Sequence, residues 1–348
     1  MTSHGSRWEA LALRAMMGLP PATVRWLAGR GELHDGQLLE PEVQWMLRIQ
    51  RMRREPDVAT LPIEDGRREI LRQTSYVGGE QPIGEVRDLD VPGADGPMHA
   101  RLYVPDDAPA TSPLLVFLHG GGMVYGSLDS HDAVCRVLAE RAGVRVLSLD
   151  YRLAPEHPFP AGLDDALAGY RWAVEHADEL GADPARLAVG GDSAGGYLSA
   201  AVALQAAQDG MPCAFQLLVY PVTNWVEQSD SRRMFGEGYY LTQRFIDLAE
   251  ELYLGDGDRR DPRVSVGLVE AVPVGLAPAL VVTAGFDPLR DEGEAYAHLL
   301  AESGVDVELK RFPGQIHGFL NVVGVGRTSR AHVEEIADRL RAALVPAQ

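Results

Sequence analysis

The sequence predicts an α/β architecture, a mostly parallel sheet with helices on both faces, on three observations. Short apolar runs alternate with helix-length segments through most of the chain. Several of these runs are continuous rather than alternating, as strands covered on both faces should be. The residues best suited to chemistry follow the ends of the runs, where open α/β sheets place their sites.

In chain order, the first eighty or so residues read as helical. Pro41 is a good first helical residue, and 42–54 puts Val43, Met46, Leu47 and Gln50 on one stripe. A second helix is expected over 63–72. The pattern changes at Tyr76-Val77-Gly78-Gly79, and 83–91 and 98–104 then alternate apolar with polar residues. Pro92-Gly93-Ala94-Asp95-Gly96 between them signals a hairpin. Strands are predicted at 114–118, 144–149, 186–189, 215–220, 279–283 and 305–312, several of them continuous apolar runs. Helices are predicted at 163–180, closed by Gly181, and at 197–208. The connection 221–278 is far longer than a usual crossover and carries its own helix at 242–254, which marks it as an inserted lid. The expected division is an N-terminal helical cap over 1–80 and a catalytic domain over 81–348, with 221–278 partly contributing to the cap.

Composition narrows the function. The chain has 348 residues, 46% of them hydrophobic, enough for one large domain or a domain with a lid. Its 32 basic and 50 acidic residues give a net charge of −18, which repels polyphosphates and argues against a nucleic-acid partner. Two lone cysteines, Cys135 and Cys213, fit a reducing compartment. Arg14 interrupts the only N-terminal apolar stretch, so no secretory signal is read, and no run approaches the ~18 apolar residues of a membrane span. The expectation is a cytoplasmic protein with no membrane partner.

The chemistry converges on one serine. Gly191-Asp192-Ser193-Ala194-Gly195 has the pattern G-x-S-x-G. Alone it is a weak signal, but here it follows a predicted strand and precedes a predicted helix. That setting lifts a serine hydroxyl above a sheet edge on a sharp turn. His119-Gly120-Gly121-Gly122 follows the strand at 114–118. Glycines there can turn backbone N–H groups toward a developing oxyanion, so Gly121 and Gly122 are candidate donors, with Ala194 as the third. His119 lies in the wrong loop to be a base and is expected to anchor that loop. A serine hydroxyl needs a base, and the base needs an orienting carboxylate. His317 follows the strand at 305–312 and Asp287 the strand at 279–283, giving the chain order Ser, Asp, His. Asp291, four residues on, is the rival acid, although Asp291 and Glu292 better suit a helix N-terminus.

His119 to Gly122, Gly191 to Gly196, Asp150-Tyr151-Arg152-Leu153-Ala154-Pro155-Glu156 and His317-Gly318-Phe319 together resemble the bacterial hormone-sensitive-lipase-like carboxylesterases. The similarity extends from about Pro82 onward. It implies the α/β-hydrolase fold with an eight-stranded sheet and a helical cap, no cofactor, and hydrolysis of small-molecule carboxylic esters. The acid and base of that family fall on Asp287 and His317. The stretch from Asp150 to Glu156, with Ser127, Asp129 and His131, is expected to be structural hydrogen bonding.

Competing chemistries fail on inventory. Lys310 is the sole lysine, so Ser-Lys catalysis is excluded. No H-E-x-x-H is present and no metal is expected. The glycine loop lacks the Lys-Ser/Thr of a phosphate cradle. An amidase using the same residues stays open, and a receptor-like member of the fold is disfavoured because Ser193, Asp287 and His317 are all present. A homodimer is compatible with the sequence. The charged cap, with Arg48, Arg51, Arg53 and Arg54, suggests short acyl substrates, roughly C2 to C8, without interfacial activation.

Overall fold

A computed structural model describes residues 4–345. Eight strands form one sheet: β1 Glu85–Gly93, β2 Gly96–Val104, β3 Ser112–Leu118, β4 Arg145–Leu149, β5 Ala182–Asp192, β6 Phe215–Val219, β7 Ala279–Phe286 and β8 Val307–Ile316. Their spatial order is β8-β7-β6-β5-β3-β4-β2-β1. Only β2 runs against its neighbours, β1 and β4. The hairpin expected at 92–96 closes tightly, with Gly93 opposite Gly96 and Ala94-Asp95 between them.

The continuous apolar runs have a direct cause. Along β3, Leu114, Val116 and Leu118 point into a core shared with α6 (Ala161–Glu175) and α7 (Ala194–Asp209). Leu115 and Phe117 point the other way, into a core with α5 (Asp132–Ala142) and α11 (Thr328–Leu344). Both faces are buried, so the run from Leu114 to Leu118 is apolar without interruption.

The N-terminal segment supplies α1 (His4–Met17), α2 (Pro21–Ala28), α3 (Pro41–Arg53) and α4 (Ile63–Gly78), with a short ribbon pairing Leu33–His34 to Gln37–Leu38. Two helices differ from their sequence expectation. α4 continues six residues past 72, since its breakers come only at Gly78-Gly79. α3 is buried on two faces rather than one stripe. Val43 and Leu47 pack with Phe286 and Ile316, while Trp45 and Ile49 pack with Leu13, Met17 and Val24 of α1 and α2. The helix expected at 163–180 ends earlier, at Glu175, and reaches Gly181 through turns. The 221–278 connection holds α8 (Asp230–Phe235) and α9 (Gln243–Leu254), and Thr242 caps α9 through its hydroxyl. Hydrogen bonds from Thr242 to Asp57 (3.0 Å) and from Tyr239 to Glu32 (3.1 Å) join this connection to the N-terminal segment.

Candidate active site

Ser193 stands at the turn between β5 and α7 with φ 55° and ψ −119°, a conformation that non-glycine residues rarely adopt. The turn fits only because Gly191 and Gly195, two residues to either side, lack side chains. A Cβ on Gly191 or Gly195 would collide with the carbonyl oxygen of Leu118.

His317 begins the loop after β8, and Asp287 follows β7 directly. His317 Nδ1 lies 2.8 Å from Asp287 Oδ2, and its Nε2 lies 2.9 Å from Ser193 Oγ. An ionised carboxylate only accepts, so Nδ1 carries the proton and Nε2 is free to accept from the serine hydroxyl. Asp287 is fully buried, and its Oδ1 accepts the N–H of Leu289 at 2.8 Å. The ring of Tyr220 packs against His317, with centroids 4.4 Å apart. Asp291 is held elsewhere. It accepts the N–H of Ser231 at 2.8 Å and pairs with Arg290 at 2.8 Å. Glu292, beside it, is buried against Arg232 at 2.8 Å. Both lie in the first turn of α10 (Arg290–Glu302).

Gly121 and Gly122 have φ of +127° and +63°. A Cβ on Gly121 would meet the Tyr125 carbonyl, and one on Gly122 would come within 2.8 Å of Phe245 on α9. Among the described residues, the backbone N–H groups of Gly121, Gly122 and Ala194 find no backbone acceptor. These orphan donors border the same cavity as Ser193 and His317 or, for Ala194, open the helix next to it.

His119 is fully buried behind the loop, its Nδ1 2.9 Å from the Gly120 carbonyl and its ring stacked on Tyr151 at 4.4 Å. Burial pushes its imidazole down to about 3, which leaves it neutral and unsuited to base work. The residues expected to be structural do make hydrogen bonds. Ser127 and Ser130 bond reciprocally, Asp129 pairs with Arg101 at 2.8 Å, and Arg152 grips Asp165 at 2.7 Å. Glu156 pairs with Arg67 of α4 at 2.7 Å, tying that motif to the N-terminal helices.

The cavity in front of Ser193 has a volume of about 330 Å³. Its walls are mainly apolar, with Met46, Leu47, Ile70, Leu241, Phe245 and Val322 contributed by three separate segments. Sequence reasoning missed Tyr240 and Asp192 as cavity residues. Tyr240 has φ 81° and rests on Gly318, and no local motif announces it. Asp192 occupies the variable position of the serine motif, which hides its role. Among the described residues, no group of three or more His, Cys, Asp or Glu could hold a metal ion, and no helix is long and apolar enough to cross a membrane.

Comparison with known proteins identifies the family of the chain. A family profile described as the alpha/beta hydrolase fold matches residues 115–321. The carboxylic ester hydrolase LipN of Mycobacterium tuberculosis is 45% identical, over 96% of this chain and 91% of its own length. An ethyl acetate hydrolase of Pseudomonas putida is 40% identical over 75% of this chain and 84% of its own. The crystal structure of a hyperthermophilic esterase from Pyrobaculum calidifontis superposes with a TM-score of 0.83 at 37% identity, covering 88% of this chain and 99% of that one. The chain belongs to the α/β-hydrolase family, among its hormone-sensitive-lipase-like carboxylic ester hydrolases.

Proposed function

We propose that this carboxylic ester hydrolase uses Ser193 as nucleophile, His317 as general base and acid, and Asp287 as the orienting carboxylate, on esters with short acyl groups. The observation that carries the reading is the unbroken relay of 2.8 and 2.9 Å from Asp287 through His317 to Ser193. Ser193 Oγ attacks the ester carbonyl carbon as its proton passes to His317 Nε2. The carbonyl π electrons move onto oxygen, and the N–H groups of Gly121, Gly122 and Ala194 receive the oxyanion. His317 then protonates the departing alcohol, which leaves an acyl-enzyme. Water, deprotonated by the same imidazole, repeats the sequence and releases the acid. No cofactor enters these steps.

In this reading residues 1–80, with part of 221–278, act as the cap over a catalytic domain of 81–348. The cavity of about 330 Å³ lies at the small end of the range of small-molecule sites, roughly 300–1,000 Å³. That supports an acyl preference of roughly C2 to C8 on small-molecule esters. The cytoplasmic location rests on the two free cysteines, Cys135 and Cys213. The test is kcat/KM on p-nitrophenyl esters from acetate to palmitate, below and above the solubility limit of each. A maximum within the short esters and no jump at droplet formation is expected.

One observation favours a second reading. Trp8 and Trp26 of the N-terminal segment are 72% and 78% exposed. Such side chains suit contact with an oil surface. A rate jump when droplets form, abolished in a Trp8→Ser, Trp26→Ser variant, would establish it.

A further inference from the structure

Beside the Ser193 relay lies a second histidine–carboxylate pair that the mechanism does not use. His131 Nε2 is 3.1 Å from Asp192 Oδ1, and the two residues are each 3% exposed. The ring is fixed from its other side by Ser130, whose Oγ is 2.9 Å from His131 Nδ1. Asp192 also accepts the N–H of Gly120 at 2.9 Å and the hydroxyl of Tyr220 at 3.3 Å. Asn321, four residues beyond His317, lies 3.2 Å from His131 Nε2. The pair therefore touches all three loops of the site: the glycine loop, the serine turn and the loop carrying His317.

We infer that Asp192 and His131 are positioning residues that clamp the glycine loop onto the serine turn, and so aim the N–H groups of Gly121 and Gly122 at the oxyanion.

The inference rests on the proposed roles of Ser193, His317 and the glycine loop. Three further observations support it. The loop has no slack at this point, since a Cβ on Gly120 would come within 2.6 Å of Asp192 Oδ2. Gly121 and Gly122 are the next residues along, so a shift at Gly120 passes directly to both donors. Burial raises the Asp192 carboxyl, yet His131, His317 and the Gly120 N–H outweigh it and hold the group below the ordinary carboxylate range. An ionised Asp192 makes the Gly120 bond charge-assisted, about twice the strength of a neutral one. A neutral side chain of the same shape should hold the loop, but less firmly.

Asp192→Ala, Asp192→Asn and His131→Asn should be compared with the unaltered protein in three measurements. These are steady-state kinetics on p-nitrophenyl butyrate, titration of Ser193 with a p-nitrophenyl phosphonate, and the Ki of an alkyl trifluoromethyl ketone. The ketone becomes a hemiketal oxyanion when Ser193 Oγ adds to it and His317 takes the proton, so its affinity reports the oxyanion donors. Loss of one such donor lowers kcat roughly 10²–10³-fold. We expect Asp192→Ala to lose about 10²-fold in kcat and Asp192→Asn about 10-fold or less, with KM within about 3-fold in each. Ki should rise in proportion to the fall in kcat/KM, and the phosphonate titre should stay complete. If Asp192→Ala does not fold, the two Asn variants carry the same comparison. A merely structural role would lower the titre and the melting temperature together while the remaining active fraction kept its Ki, and that result overturns the inference. So does an unchanged kcat in all three. Failure of the phosphonate to label Ser193 in the unaltered protein would overturn the proposed mechanism itself, and this inference with it.

Discussion

Asp287 and His317 meet at 2.8 Å with the carboxylate wholly shielded from solvent, and the second oxygen of Asp287 is occupied by the Leu289 N–H. Both carboxylate oxygens therefore have fixed partners, and the imidazole is held in one tautomer and one plane. Asp287→Asn keeps the shape but can present a donor to Nδ1, which favours the wrong tautomer. A fall in kcat of about 10⁴-fold with little change in melting temperature is expected. Asp291→Asn is the control, because Asp291 is tied to Ser231 and Arg290 instead. It should retain kcat within a few-fold, and near-normal turnover in Asp287→Asn with loss in Asp291→Asn would reverse the assignment.

Gly121 combines φ +127° with a Cβ position that runs into the Tyr125 carbonyl. Gly121→Ala should therefore shift the loop and misaim at least one donor, lowering kcat roughly 10²–10³-fold. Steady-state kinetics alongside circular dichroism separates that effect from unfolding. Full activity in a folded Gly121→Ala enzyme would remove the glycine loop from the proposed oxyanion site.

The buried imidazole of His119 makes the fold acid-sensitive. In the unfolded chain it binds a proton as pH falls through about 6.5, whereas in the folded protein it does so only near about 3. Between those values the unfolded state holds the extra proton, so stability drops as pH falls, by about 1.4 kcal/mol per unit. Asp192 adds to this at lower pH. Its depressed carboxyl stabilises the fold above the ordinary carboxylate range, and that contribution is lost as pH falls through its folded value. Urea unfolding at pH 7.5 and 5.0 should show His119→Gln losing about 2 kcal/mol less than the unaltered protein over that interval.

Arg232 and Glu292 form a buried ion pair at 2.8 Å, and Glu292 also accepts the N–H of Thr223 at 2.9 Å. This pair joins the start of the 221–278 connection to α10, just beyond Asp287. Burial already raises the Glu292 carboxyl, so removing its cation leaves a costly charge or forces protonation. Arg232→Met should cost roughly 3–5 kcal/mol, and adding Glu292→Gln should recover part of it. Denaturant midpoints of the two variants would test this, and equal stability of the single and double variants would refute it.

Phe245 reaches from α9 to within 2.8 Å of where a Gly122 Cβ would sit, and so narrows the cavity beside the glycine loop. Phe245→Ala should shift the kcat/KM optimum toward longer acyl chains, by a few carbons, with the steepest losses on the shortest esters. An unchanged chain-length profile would place the acyl group elsewhere in the cavity.

Much of this molecule is local in origin, and local features are legible in a sequence. Continuous apolar runs reported strands covered on both faces, and all six predicted strands overlap observed ones, although the edge strand β8 is only partly buried. Ser193 and the glycines around it declare a strained turn, because no residue with a Cβ fits at Gly191 or Gly195. Chain order and strand ends were enough to nominate Asp287 and His317. Tertiary packing decided the rest. Asp287 and Asp291 are four residues apart, and only the docking of Ser231 and Arg290 shows which carboxylate is already engaged. The two-faced burial of α3 depends on what α1, α2 and the ends of β7 and β8 present to it, which periodicity within one helix cannot report. The Asp192–His131 pair joins residues distant in sequence, and the positive φ of Tyr240 is imposed by its surroundings. The division has a physical reason. Turns and strand burial follow from sterics and solvation of neighbouring residues, while partner choice among charged and polar groups depends on distances that exist only after the chain has closed.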